Sequence, residues 1–315
     1  MKQIVFHPSF EMAGKLARVL ERAGPAMESA GLAEDDLGIV IGRYMPGEDE
    51  AEIAAHNGGQ PFYPASVTKL GWGLAALERL EAGTLEDHSE LRRSLRDMLG
   101  TSSNAATNYV IDCLTGMTGD TLLEGDELRA AIEAHQEMTR RLASLNWPEW
   151  EHCQIVQKAS DEDRYGRHGQ FLEALGHNVL TPMGAARLIH ESVFANSFSA
   201  SVVKEMRALV KRPTAPEHIA AEPISQMRAF AGGGIAQYLP ETSHIFSKAG
   251  WCVETGDPRS AWKRHDALIA LLPDNSALLC VIFVQGVNAV KDETLLPALG
   301  EMVANAILLV NGGDA

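Results

Sequence analysis

The 315-residue chain is 45% hydrophobic and carries a formal net charge of −15, enough apolar content for a sizeable core in one large unit or two smaller ones. That charge excludes a nucleic-acid surface, which needs clustered Lys and Arg, and no run reaches the roughly 18 apolar residues of a membrane span. Four scattered cysteines (Cys113, Cys153, Cys252, Cys280) and eleven histidines without a His-Glu-x-x-His pattern offer no metal spacing, so neither a metal nor any other cofactor is expected.

The opening MKQIVFHPSFEMAG lacks the apolar stretch of about 7 to 15 residues that a signal peptide needs. As written, the chain is expected in the cytoplasm; a leader removed earlier would put it in the periplasm or outside the cell. Residues 9–31 place Met12, Leu16, Val19 and Leu20 at helical spacing and stop near Gly31. Residues 37–62 read as a hairpin of two strands around a Pro-Gly turn. From Ser66, SVTKLGWGLAALERLEAG predicts a helix with a glycine stop at Gly83. Helices follow at 88–99, 104–115 and 125–145, the first two separated by GTSS. Residues 147–180 read as irregular, and TPMGAARLIHESVF begins a helix with proline at its first position. HIFSKAGW, HDALIALLP and ALLCVIFVQGV read as strands, and TLLPALGEMVANAILLV as a closing helix.

Strands therefore sit at both ends and helices fill the middle. The simplest packing is an α/β (α+β) fold in which both ends join one antiparallel sheet of about five strands flanked by terminal helices, beside an all-helical lobe. The expected units are a discontinuous sheet domain, 1–65 with 205–315, and a helical domain, 66–204. The cleft between them is the natural place for a site.

Three Ser-x-x-Lys matches occur: Ser66/Lys69, Ser201/Lys204 and Ser260/Lys263. Ser66 starts a helix directly after the hairpin, where converging backbone N–H groups favour negative charge, and Lys69 lies on the same helix face. A serine hydroxyl needs an adjacent base, and a lysine serves when burial or a second cation lowers its pKa. Ser201 falls within a surface helix and Ser260 between strands, so neither has that setting. Ser102 and Asn104 form Ser-x-Asn in a loop between two helices; the same pattern at Ser144/Asn146 marks how little it means alone. In FSKAGW, Lys248 supplies a second cation on a strand, and Gly250 lets a substrate lie close against the backbone.

In this order the three elements resemble the penicillin-recognising serine hydrolases, with their Ser-x-x-Lys, Ser-Asp-Asn and Lys-Thr-Gly. The class A β-lactamase branch is the most similar, from about residue 36 to 313. The resemblance implies a β-lactamase/transpeptidase-like fold and an acyl-enzyme mechanism on a small molecule: a β-lactam, an amide or an ester. It implies Ser66 as nucleophile, Lys69 as base, Ser102 as proton relay, and Asn104 as holder of the substrate amide. Lys248 would hold a substrate carboxylate, and the backbone N–H groups of Ser66 and Trp251 would form an oxyanion hole.

The chain departs from that pattern. Ser103 stands for the central Asp, Ala249 for the hydroxyl residue of Lys-Thr-Gly, and Trp251 for a small residue. The family's Glu-x-x-Leu-Asn, whose glutamate activates the deacylating water, is absent between Ser144 and Thr181. Glu162 and Asp163, beside Asp161, are the candidate substitutes, with Glu173 further on. Alternatives are a D-Ala-D-Ala-type peptidase or an esterase with little β-lactamase activity, and a catalytically silent binding protein of the same fold. A serine-dependent glutaminase lacks its surrounding patterns here.

Overall fold

The computed structural model describes residues 3–117, 121–159, 166–194, 196–222 and 224–308. It opens with strand β1 (Val5–Pro8) and helix α1 (Phe10–Ser29), whose N-cap Ser9 accepts the Met12 N–H and whose buried stripe is Met12, Leu16, Val19 and Ala23. The hairpin follows as β2 (Leu37–Tyr44) and β3 (Glu50–His56). A 3₁₀ turn, Ala65–Thr68, leads into α2 (Lys69–Glu81). Then come α3 (Ser89–Gly100), α4 (Asn104–Thr115), α5 (Gly125–Ala143), α6 (Gly166–Leu175), α7 (Pro182–Val193) and α8 (Ala200–Val210). Strand β4 (Lys211–Arg212) and the short helices α9 (Pro216–Ala221) and α10 (Ala231–Ala236) precede the long strands β5 (His244–Cys252), β6 (Lys263–Leu271) and β7 (Ala277–Gln285). The chain ends in α11 (Val287–Lys291) and α12 (Leu295–Leu308).

The strands form one sheet in the order β1-β3-β2-β7-β6-β5-β4. Every pairing is antiparallel except β1 with β3, which is parallel. The expectation of about five strands holds for the body of the sheet. The two further strands are edge pieces, four and two residues long, too short to carry a readable alternation. Strand β2 pairs along its whole length with β7, Leu37 opposite Val284 and Tyr44 opposite Ala277, so both ends of the chain build the centre of the sheet.

Helices cover both faces, which explains why β7 and the second half of β6, Ala267 to Leu271, are apolar without a polar alternation. Leu37, Ile39, Ile41, Cys280 and Ile282 pack on α1 and α12 through Met12, Leu16, Leu296 and Val303. Val40, Ile269, Leu279, Val281 and Phe283 pack on α2 and α7 through Leu70, Leu188 and Ile189. Residues 147–180, expected to be irregular, contain a 3₁₀ turn at Pro148–Trp150 as well as α6. A single bridge, Phe62 with Leu180, ties this segment to the approach of Ser66, and another, Gln154 with Val179, closes the segment on itself. Among the described residues, no helix is long and apolar enough to cross a membrane.

Candidate active site

Ser66 lies in the 3₁₀ turn rather than in the α-helix proper, and Lys69 is the first residue of α2. The turn is held from both sides. The His265 ring accepts the Val284 N–H at Nδ1 (3.1 Å), so its proton sits on Nε2, which donates to the Tyr63 carbonyl at 2.9 Å. Burial drives the His265 pKa down to about 3, leaving the ring a neutral prop. From the other side comes Gly250 of β5. A Cβ there would meet the Pro64 carbonyl at 2.8 Å and the Ser66 nitrogen at 3.2 Å. The glycine was expected to admit a substrate; what it admits is the Ser66 turn itself. Ala65, just before the serine, has φ +47 and Ser102 has φ +61, a region sparsely populated by residues with a side chain.

Four of the expected side chains converge. Lys69 Nζ donates to the Ser102 carbonyl (2.7 Å), the Ser102 hydroxyl (3.2 Å) and Asn104 Oδ1 (2.9 Å). Lys248 Nζ donates to the same Ser102 hydroxyl (2.9 Å), to Gln226 Oε1 (2.6 Å) and to the Ala249 carbonyl (2.7 Å). The Ser102 hydroxyl thus bridges two lysine amines. Asn104 opens α4, the helix expected over 104–115, and Ser103 caps that helix by accepting the Ala106 N–H at 3.2 Å. The half-buried Ser66 hydroxyl makes no hydrogen bond among the described residues and faces open space.

Both lysines are buried, Lys69 at 2% exposure and Lys248 at 0%. Burial lowers Lys69 to about 7. Lys248 falls well below the ordinary ammonium range, through burial first, then repulsion from Lys69 and Arg212. Of the two expected causes, burial and the Lys248 charge, burial is the one that lowers Lys69. Lys248 was also expected to hold a substrate carboxylate, yet its donors are already taken by protein acceptors. Asp266, buried beside it and accepting the Gly232 N–H at 3.0 Å, is raised to about 7 by that burial.

Two openings reach Ser66. One is a cavity of about 420 Å³ that Ser66 shares with Ser102, Asn104, Gln226, Arg228, Trp251 and Arg264. The Trp251 indole is half exposed, with the Arg264 guanidinium 5.8 Å from its ring centre. The other is a pocket of about 40 Å³ between Ser66, Lys69, Trp72, Gln157, Asn178 and Cys252. Neither Gln226 nor Gln157 had a sequence signal: each sits outside any periodic segment and is defined only by its partner. The other matches stay apart from this cluster. Ser201 and Lys204 are exposed on α8, the Ser260 hydroxyl pairs with Thr255 Oγ1 at 2.7 Å, and Ser144 and Asn146 form the turn after α5. Glu173 is exposed on α6, while Asp161, Glu162 and Asp163 lie outside the described residues.

No protein-family profile matches the sequence, and no curated protein matches it. Solved structures do. The class A β-lactamase of the last common ancestor of Gram-negative bacteria superposes with a TM-score of 0.62 over 91% of this chain and 98% of its own, at 13% identity. The chain has the class A β-lactamase fold. A β-lactamase from Chitinophaga pinensis gives a TM-score of 0.62 at 14% identity, over 91% of this chain and 98% of that one. One from Burkholderia vietnamiensis gives 0.59 at 16% identity, over 95% and 97%. The β-lactamase fold thus extends across nearly the whole chain, as the sequence motifs implied.

Proposed function

We propose that the protein is a serine acyl-transfer hydrolase that forms an acyl-enzyme on Ser66. The observation that carries this reading is the Ser102 hydroxyl held between two buried amines, 3.2 Å from Lys69 and 2.9 Å from Lys248. Such an array moves protons, because a lysine lowered to about 7 is both a competent base and a competent acid near neutrality. Lys69 takes the Ser66 proton as the oxygen attacks the substrate carbonyl carbon. The oxyanion accepts from the backbone N–H groups of Ser66 and Trp251, donors typically worth ~3 kcal/mol each. The proton then passes through Ser102 to the leaving nitrogen or oxygen as its bond to the acyl carbon breaks. Water finally cleaves the Ser66 ester.

The substrate is a small molecule with a β-lactam, amide or ester bond, D-Ala-D-Ala-type peptides being among the amides. A ring-opened β-lactam stays tethered, so water must reach its acyl carbon from the small pocket beside Ser66, where the described lining holds no carboxylate. An ester sheds its alcohol and opens the wide cavity to water instead.

Intact-protein mass spectrometry after mixing with a fluorescent penicillin or a p-nitrophenyl ester tests the reading. The expected result is one adduct, mapped to Ser66 and lost in Ser66→Ala. A label on Ser201 or Ser260 overturns the assignment, and no adduct with either reagent leaves a binding protein of the same fold.

A further inference from the structure

The small pocket behind Ser66 has an unusual hydrogen-bonding balance. Three side-chain amides line it, Asn104, Gln157 and Asn178, and each has its oxygen already occupied. Gln157 Oε1 accepts the Asn178 N–H at 2.5 Å. Asn178 Oδ1 accepts the N–H groups of Val156 and Gln157 at 2.7 and 2.9 Å, and Asn104 Oδ1 accepts from Lys69 at 2.9 Å. A backbone N–H only donates, so the Gln157 amide cannot be turned the other way. Its Nε2 and the Trp72 Nε1 are both buried and have no hydrogen-bond partner among the described residues. Gln157 is 5% exposed and Trp72 2%, and buried N–H groups of this kind nearly always find an acceptor. No Asp or Glu lines the pocket among the described residues, and the nearby Lys158 is ion-paired with Asp112 at 2.6 Å.

Building on the acyl-enzyme reading, we infer that this pocket takes a second, uncharged carbonyl group carried on the acyl part of the substrate, with Gln157 Nε2 and Trp72 Nε1 as its donors. A carbonyl oxygen has two lone pairs for two donors. A nucleophilic water suits the pocket poorly, because accepting both N–H groups ties up the lone pair that must attack. A carboxylate suits it less, because burial penalises the charge and Lys158 is already neutralised. At about 40 Å³ the space holds a carbonyl and one small substituent but no ring.

The test compares p-nitrophenyl 4-oxopentanoate with p-nitrophenyl pentanoate, esters of equal chain length that differ by one ketone oxygen. Acylation rate constants are measured by stopped flow and each is divided by the rate of spontaneous hydrolysis. The expected ratio is about tenfold or more in favour of the oxo ester, since a site built around unpaired donors discriminates against an analogue lacking the acceptor. Gln157→Glu keeps an oxygen for the Asn178 N–H but replaces the donor with a carboxylate, and should bring the ratio to about one. Trp72→Phe, which removes only the indole N–H, should lower it part-way and serves if the first variant does not fold. Equal acylation of Ser66 by the two esters in the natural protein overturns the inference and leaves the acyl-enzyme reading standing. So does a preference that survives in both variants. If neither ester labels Ser66, the acyl-enzyme reading fails and the inference falls with it.

Discussion

The two openings onto Ser66 contrast in size and chemistry: about 420 Å³ on one side, about 40 Å³ on the other. The wide side mixes signs and textures, with Arg228, Glu293, Ile224, Phe230 and the exposed Trp251 indole. The narrow side is mostly polar, its amides held by hydrogen bonds to the backbone. A wide, mixed cavity tolerates variety, so it suits a departing group. A narrow pocket of fixed donors reads one feature of what stays attached. Specificity in this molecule should therefore reside behind the nucleophile rather than in front of it.

The largest effect should come from the amine behind the serine, which lines the narrow side alone. Lys69→Arg should lower acylation by ~10³-fold or more with every ester, because arginine keeps its proton at usable pH. Stopped-flow rates equal to the natural protein's would remove lysine as the base.

The pH dependence is next. With Lys69 lowered to about 7, acylation should climb about tenfold per pH unit below that value and level off above it. A flat profile between about pH 5.5 and 8.5 would contradict the assignment. The same depression sets a stability trend. Between about 7 and 10.5 the unfolded chain binds a proton that the folded chain has released at Lys69, so stability rises with pH across that window. Lys69→Met should flatten that rise and raise the unfolding free energy at pH 7 by a few kcal/mol, on the order of the removed desolvation cost. Urea titrations at pH 7 and 9 measure both.

A smaller effect comes from Trp251, which lines both openings. Trp251→Ala removes the indole but keeps the backbone N–H, so KM should rise roughly five- to tenfold with little change in kcat, as expected for lost uniform binding. A fall in kcat instead would mean that the indole orders the oxyanion donors. The smallest effect should come from changing Asp161, Glu162 and Asp163 together to Asn, Gln and Asn. Ester turnover should move by less than about twofold. A penicilloyl adduct that persists only in the triple variant would make one of those acids the deacylating base and the protein a working β-lactamase.

Much of the frame was legible because it rests on local rules. Thr181 followed by Pro182 announces α7, and its hydroxyl does accept the Gly184 N–H at 2.9 Å. The apolar runs of β6 and β7 read as strands. Ser66/Lys69, Ser102/Asn104 and Lys248 could be picked out by spacing and order, and four of those five meet within hydrogen-bonding distance. What stayed hidden depends on partners far away in sequence. Strand β1 exists only because β3 offers an edge. The acceptor for Lys248 is Gln226, in a segment without periodicity, and the direction of the Gln157 amide is decided by the Asn178 backbone. Ionisation was legible in part: a lowered Lys69 was expected, whereas Lys248 looks like an ordinary cation until its burial is known.

The pairing of β2 with β7 governs how the molecule comes into being. Leu37 and Val284 are partners, yet the whole helical middle of the chain must be made before they meet. On the ribosome, β2 and β3 emerge as a hairpin with one long apolar edge uncovered, and that edge stays open until the last strands are released. Contacts of such sequence separation slow folding and prolong the exposure of unpaired strands. The hydroxyl–amine cluster is completed only when β5 docks against the Ser66 turn through Gly250, so the proposed acylation must wait for the sheet to close.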